Sequence, residues 1–220
     1  MTKPDKLKPL PFSFAKRKGV LIHEEESPPR RRQLIFRESL DLAVFAEVQR
    51  FCSAEVVPKR VDNTTFDQLL SESYQNDSDA ALQMIEDLGD ALDLSSIADA
   101  IPDNADLLEQ EDDAPIIKLI NSLLGEAIKL AASDIHIETY ETRLVVRFRV
   151  DGVLKEIVTP RRALAPLLVS RIKVMARLDI AEKRVPQDGR ITVRVGGKEV
   201  DVRVSTIPAN NGERVVMRLL

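Results

Sequence analysis

RITVRV (190–195), Gly196-Gly197 and KEVDVRVST (198–206) form the stretch that decides the fold of the C-terminal half. Two alternating runs around a two-residue glycine turn predict an antiparallel hairpin. Such a loop pairs Val195 with Lys198, and every further pair keeps the same sum of residue numbers. Val193 then faces Val200, and Ile191 faces Val202, on one apolar face. On the other face Arg194 meets Glu199, Thr192 meets Asp201, and Arg190 meets Arg203. The first two pairs are complementary. The third sets two guanidiniums directly opposite each other, which weakens a sheet unless an anion lies between them. A guanidinium fork matches phosphate oxygens. Asp188, Asp201 or Glu213 could supply the neutralising charge instead. In the last strand, ERVVMRLL, Arg214 and Arg218 share a face while Val215, Met217 and Leu219 take the other.

Working outward, Asp113-Ala114-Pro115 opens a helix whose stripe is Ile116, Ile120, Leu123, Ala127 and Ala131. In the strand that follows, Ile135 and Ile137 alternate with Asp134, His136 and Glu138. Arg143 to Val150 alternates again, Asp151-Gly152 turns, and VLKEIV returns. A second helix is expected from about Leu164 to Leu178, with Pro166 in its first turn. Helix, three strands, helix, three strands predicts an α+β domain over 113–220, two-layered with a mostly antiparallel sheet. Residues 78–112 read as an acidic helical linker with Leu82, Ile85, Leu88 and Leu92 at helical intervals. Residues 1–77 read as a small α+β domain. It contains the piece PFSFAKRKGVLI, a helix DLAVFAEVQRFC capped by Asp41 with a stripe of Leu42, Phe45, Val48 and Phe51, a strand EVVPKRV, and a helix TFDQLLSESY capped by Asn63 or Thr64.

The net charge of −4 conceals a division. Residues 61–117 hold 16 acids and no Lys or Arg, whereas residues 118–220 hold 19 basic residues against 12 acids. The basic half calls for an anionic partner. Aromatics at 4%, with no Trp, argue against a base-stacking nucleic-acid platform, so no nucleic acid is expected. Cys52 is the single cysteine, which excludes a disulfide framework and a multi-cysteine zinc site and suits a reducing, cytosolic compartment. His136 and Glu138 lack the further ligands that a metal site needs. No apolar run reaches the roughly 18 residues that cross a bilayer. No G-x-x-x-x-G-K-[ST] occurs, so the chain alone is not expected to hydrolyse a nucleotide by the P-loop route.

SDIHIE, VRFRVDGVL, RIKVMARLDIAEKRVPQDGRI, VDVRVST and NGERVVMRLL, in this order and spacing, resemble the N-terminal half of the secretion traffic ATPases. These drive type II secretion and type IV pilus assembly. PFSFAKRKGVLI and the short α+β segment after it look more like the type II members. The resemblance implies an N1 domain over 1–77 that docks on an inner-membrane platform, and a PAS-like N2 domain over 113–220. A RecA-like motor domain carrying the Walker motifs would follow in the longer parent. It implies a homo-hexamer in the cytoplasm, peripherally bound to the bacterial inner membrane, that couples ATP and Mg²⁺ to secretion, with zinc confined to the parent's C-terminal part. The implied partners are the cytoplasmic domain of platform protein L and inner-membrane protein F. Arg190, Arg203, Arg214 and Arg218 would reach the nucleotide, with Arg147 and Arg149 as weaker candidates. Phe12, Phe14, Lys16, Arg17 and Lys18 would face the platform. The alternatives are a pilus-assembly ATPase portion, or a standalone adaptor that senses a cyclic dinucleotide through the same arginines.

Overall fold

The computed structural model describes residues 9–24, 32–52, 55–82, 94–101, 114–195 and 198–220. The described residues up to Ser73 form one compact unit and those from Tyr74 onward another.

In the first unit helix α1 (Phe12–Lys18) leads into strand β1 (Val20–Glu24). The junction needs Gly19, whose φ of 65° is left-handed. β2 (Arg32–Phe36) pairs antiparallel with β1 and parallel with β3 (Val57–Arg60). Helices α2 (Leu42–Cys52) and α3 (Asn63–Leu82) complete the unit. Asp41 caps α2 as expected, its Oδ1 accepting from the Ala43 amide at 2.8 Å. The cap of α3 is Asp62 rather than Asn63 or Thr64. Its carboxylate accepts from the Thr65 amide at 2.9 Å and the Thr65 hydroxyl at 2.6 Å. The buried positions of α2 are Val44 and Val48, while Leu42 is 82% exposed. Leu42 lies in the first helical turn, so the stripe facing the core begins further on.

Phe12 and Phe14 correct an expectation. Both are buried, packed in a core with Leu10, Val20, Leu34, Ile35, Phe66 and Leu70. A unit this small needs its largest apolar side chains inside, so neither ring is available to a partner. Arg17 and Lys18 are exposed at the end of the same helix, and Lys16 is half-buried.

The second unit contains α4 (Leu94–Asp99), α5 (Ala114–Lys129), β4 (Asp134–Thr139), β5 (Leu144–Val150), β6 (Val153–Val158), α6 (Ala165–Met175), β7 (Gln187–Val195), β8 (Lys198–Ala209) and β9 (Gly212–Leu219). Its sheet runs β6-β5-β4-β9-β8-β7, every pairing antiparallel. The α+β class and the antiparallel sheet agree with the sequence reading. Pro166 stands in the first turn of α6. Asp151 and Gly152 both take positive φ, 52° and 80°, the pair that a tight hairpin turn requires.

Part of the expected linker belongs to this unit. Leu94, Ala98 and Ile101 are buried in the same core as Leu119, Leu123, Ile135, Val193 and Val215, because α4 lays its apolar stripe against α5. Ile85, Leu88 and Leu92 lie outside the described residues, as does the Gly196-Gly197 turn.

Candidate functional site

The register derived from the glycine hairpin is the register of the structure. Val195 pairs with Lys198, Val193 with Val200, Ile191 with Val202 and Arg190 with Arg203. Ile191, Val193, Val202 and Val204 face the core. The outer face carries the charge. Glu199 Oε1 accepts from Arg194 Nη2 at 2.7 Å, and Asp201 Oδ1 from the Thr192 hydroxyl at 2.8 Å.

The sheet extends this face into a row. Arg149 of β5 lies beside Asp134 of β4, which lies beside Arg218 of β9; Arg203 of β8 and Arg190 of β7 follow. Four guanidiniums and one carboxylate thus cross five strands in register. Arg190 and Arg203 alone were evident from the hairpin. Arg218 joins them because β9 inserts between β8 and β4, and Arg149 because β4 pairs with β5.

Two buried carboxylates hold the β4 side of this face. Asp134 is 5% exposed, and its oxygens accept from Arg218 Nε at 2.9 Å and the Ser133 hydroxyl at 2.8 Å and lie 3.2 Å from Arg149 Nε. Glu138 is 8% exposed and pairs with Arg147 and with Arg214, the latter at 2.9 Å from Nε. The Tyr140 hydroxyl donates to it at 3.3 Å. Burial alone would raise the Asp134 carboxyl. The Ser133 and Arg218 hydrogen bonds outweigh it and hold the group below the usual carboxylate value. His136 lies between the two acids. Burial, then the charge of Arg149, pushes its imidazole below the ordinary value against the pull of Asp134. Its Nε2 is enclosed without a hydrogen-bond partner among the described residues. These anchoring roles were not read from the sequence, although the alternation of DIHIE had put both acids on the polar side.

Asp134 supplies a pH prediction. Its folded value is depressed, so its contribution to stability is complete above the unfolded value of about 3.9 and is lost as pH falls through the folded one. Asp134→Asn is expected to cost about 2 kcal/mol at pH 7, the worth of hydrogen bonds to a charged group. The gap from wild type should be constant between about pH 7 and 5 and close below about pH 4. Urea unfolding at several pH values measures it.

The remaining candidates divide. Asp188, the first of the expected neutralisers, takes Arg203: its carboxylate accepts from Nε at 3.1 and 2.9 Å and from Nη2 at 2.6 Å. Asp201 is bonded to Thr192. Glu213 turns inward, 7% exposed, and pairs with Lys173 of α6. Arg190 is exposed and makes no hydrogen bond or ion pair among the described residues. So Arg203, Arg214 and Arg218 each have a carboxylate, and Arg190, directly opposite Arg203, has none.

Residues 109–220 match the family described as type II/IV secretion system protein, and residues 9–74 match the N-terminal domain family of GSPII protein E. The type II secretion system protein E of Pseudomonas aeruginosa is 62% identical over 211 residues, 96% of this chain and 41% of the relative. The protein of the same name from Aeromonas hydrophila is 53% identical over 99% of this chain and 43% of the relative. The type II secretion system ATPase E of Vibrio cholerae is 54% identical over 96% of this chain and 42% of the relative. The chain therefore spans about two fifths of the length of these relatives. With one family match covering the whole charged sheet and the other covering the first unit, the chain belongs to the type II/IV secretion system protein family.

Proposed function

We propose that this chain is the N-terminal portion of a hexameric ATPase that powers type II protein secretion. Its second unit presents arginines to ATP, and its first unit docks on the cytoplasmic domain of an inner-membrane platform protein, protein L. The observation that carries the reading is the row of guanidiniums on an exposed sheet face, with Arg190 and Arg203 opposed. Guanidinium forks match phosphate oxygens, and an anion between them relieves the like-charge contact. The chain's own residues would bind and orient the phosphates. Positioning of Mg²⁺ and hydrolysis would fall to a motor domain, since no Walker A motif occurs in these 220 residues. The match of residues 9–74 to the N-terminal domain of GSPII protein E favours the type II reading over pilus assembly.

Because Phe12 and Phe14 are core residues, docking through α1 rests on its basic end. Arg17→Glu combined with Lys18→Glu should weaken capture of the platform protein's cytoplasmic domain by about tenfold at low salt, and less at high salt, since exposed charges are screened. Co-purification of the full 220-residue chain at two ionic strengths tests this. Capture that is equal for variant and wild type at low salt would remove α1 from the docking surface.

A further inference from the structure

The carboxylates of the outer face are of two kinds. Asp134 and Glu138 are buried, and each holds two guanidiniums and a hydroxyl hydrogen bond. Pulling either away strands a buried charge, so both are fixed. Asp188 differs. Its side chain is 46% exposed, and its one ion-pair partner, Arg203, is 57% exposed. An exposed pair of this kind is held weakly, and the carboxylate can swing into water.

The geometry of the pair is that of a ligand contact. Asp188 engages Arg203 through both oxygens against Nε and Nη2, the edge of the fork that a phosphate would take. The Asp188 backbone meanwhile stays in place. Gly189, the next residue, faces inward, and a Cβ there would collide with the Ala176 carbonyl oxygen. β7 is thus pressed against the end of α6, with Asp188 and Arg190 on the outer face on either side of the contact. Arg190 is therefore held opposite Arg203 whether or not Asp188 stays on it.

We propose that Asp188 is a resident competitor: its carboxylate occupies the Arg203 fork until a polyphosphate displaces it, and it thereby sets the affinity of the arginine row. The proposal rests on the reading of this face as a phosphate site. It gives the face two states. With Asp188 on Arg203, only Arg190 presents an uncompensated charge. With Asp188 displaced, Arg190 and Arg203 act together on one anion. A ligand with several adjacent phosphates gains from both cations, whereas a single small anion must meet the same displacement cost with fewer contacts.

The test is calorimetric titration of the full 220-residue chain with tripolyphosphate at fixed ionic strength. Asp188→Asn should bind about fivefold more tightly than wild type, the scale set by loss of one exposed ion pair. Asp201→Asn removes the same charge from the same face, but its carboxylate holds Thr192 rather than an arginine. It should change affinity by less than about twofold, through long-range attraction alone. In an Arg203→Gln background the Asp188→Asn gain should vanish. Equal gains from Asp188→Asn and Asp201→Asn, or a gain that survives Arg203→Gln, would overturn the proposal. So would an absence of binding in Asp188→Asn. If Arg203→Gln weakens binding but Asp188→Asn changes nothing, only the competitor role falls. If Arg203→Gln and Arg190→Gln both bind as wild type, the phosphate reading of the face falls instead.

Discussion

Lys173→Ala is expected to destabilise the second unit by about 3–5 kcal/mol, the cost of leaving one partner of a buried ion pair alone. Lys173 of α6 is 1% exposed and Glu213 of β9 is 7% exposed, so neither charge is shared with water. The ammonium also donates to the Glu182 carbonyl at 2.7 Å. Without Lys173 the Glu213 carboxylate is stranded between helix and sheet. Lys173→Met with Glu213→Met should recover most of the loss, because two well-packed apolar side chains replace a buried pair at little net cost. The Glu182 carbonyl would still accept from Gln187 Nε2 at 3.0 Å. Urea unfolding, with hydrogen exchange of the β8 and β9 amides as the local readout, separates the single from the double variant. A single variant within about 1 kcal/mol of wild type would mean that water reaches the pair.

Lys173 also shows where the sequence stops being legible. Its neighbours Ile172 and Val174 are buried, and nothing in the run RIKVMAR distinguishes an inward lysine from one at the surface. The partner lies 40 residues away on a strand whose neighbours follow from topology, not from spacing. The same limit applies to Asp134 and Glu138. Alternation puts them on the polar face, but their four arginines come from β5 and β9, and only the strand order brings these together. Local chemistry was legible. The hairpin register followed from the two-residue turn, and Pro166 marked the start of α6, as Asp41 did for α2. The cap of α3 was misplaced by one residue because Asp62, Asn63 and Thr64 are all good caps and only the geometry chooses. Leu94, Ala98 and Ile101 were assigned to a linker because acidic composition outweighed a stripe too short to stand out.

Replacing Arg190 or Arg203 by Gln should cut ATP turnover by roughly 10³-fold in a subunit that also carries the motor domain, the effect of losing an arginine that stabilises the transferring phosphate. The 220-residue chain itself should respond differently to the two changes. Arg190 has no carboxylate among the described residues and stands against Arg203, so Arg190→Gln relieves repulsion and leaves the melting temperature unchanged or slightly higher. Arg203→Gln also relieves that contact but forfeits the Asp188 pair. Both partners are exposed, so the two effects nearly cancel and the melting temperature should move little. Arg214 and Arg218 provide the contrast, since each is bonded to a buried carboxylate. Their Gln variants should lower the melting temperature, because Glu138 and Asp134 each lose a counter-charge that water cannot replace. A purely structural role for Arg190 and Arg203 predicts a lower melting temperature with turnover nearly intact. That pattern would withdraw these two residues from the nucleotide site. Turnover lost with the fold intact would place them against the phosphates, with Arg190 as the informative case, since it has no ion pair within the described residues to lose.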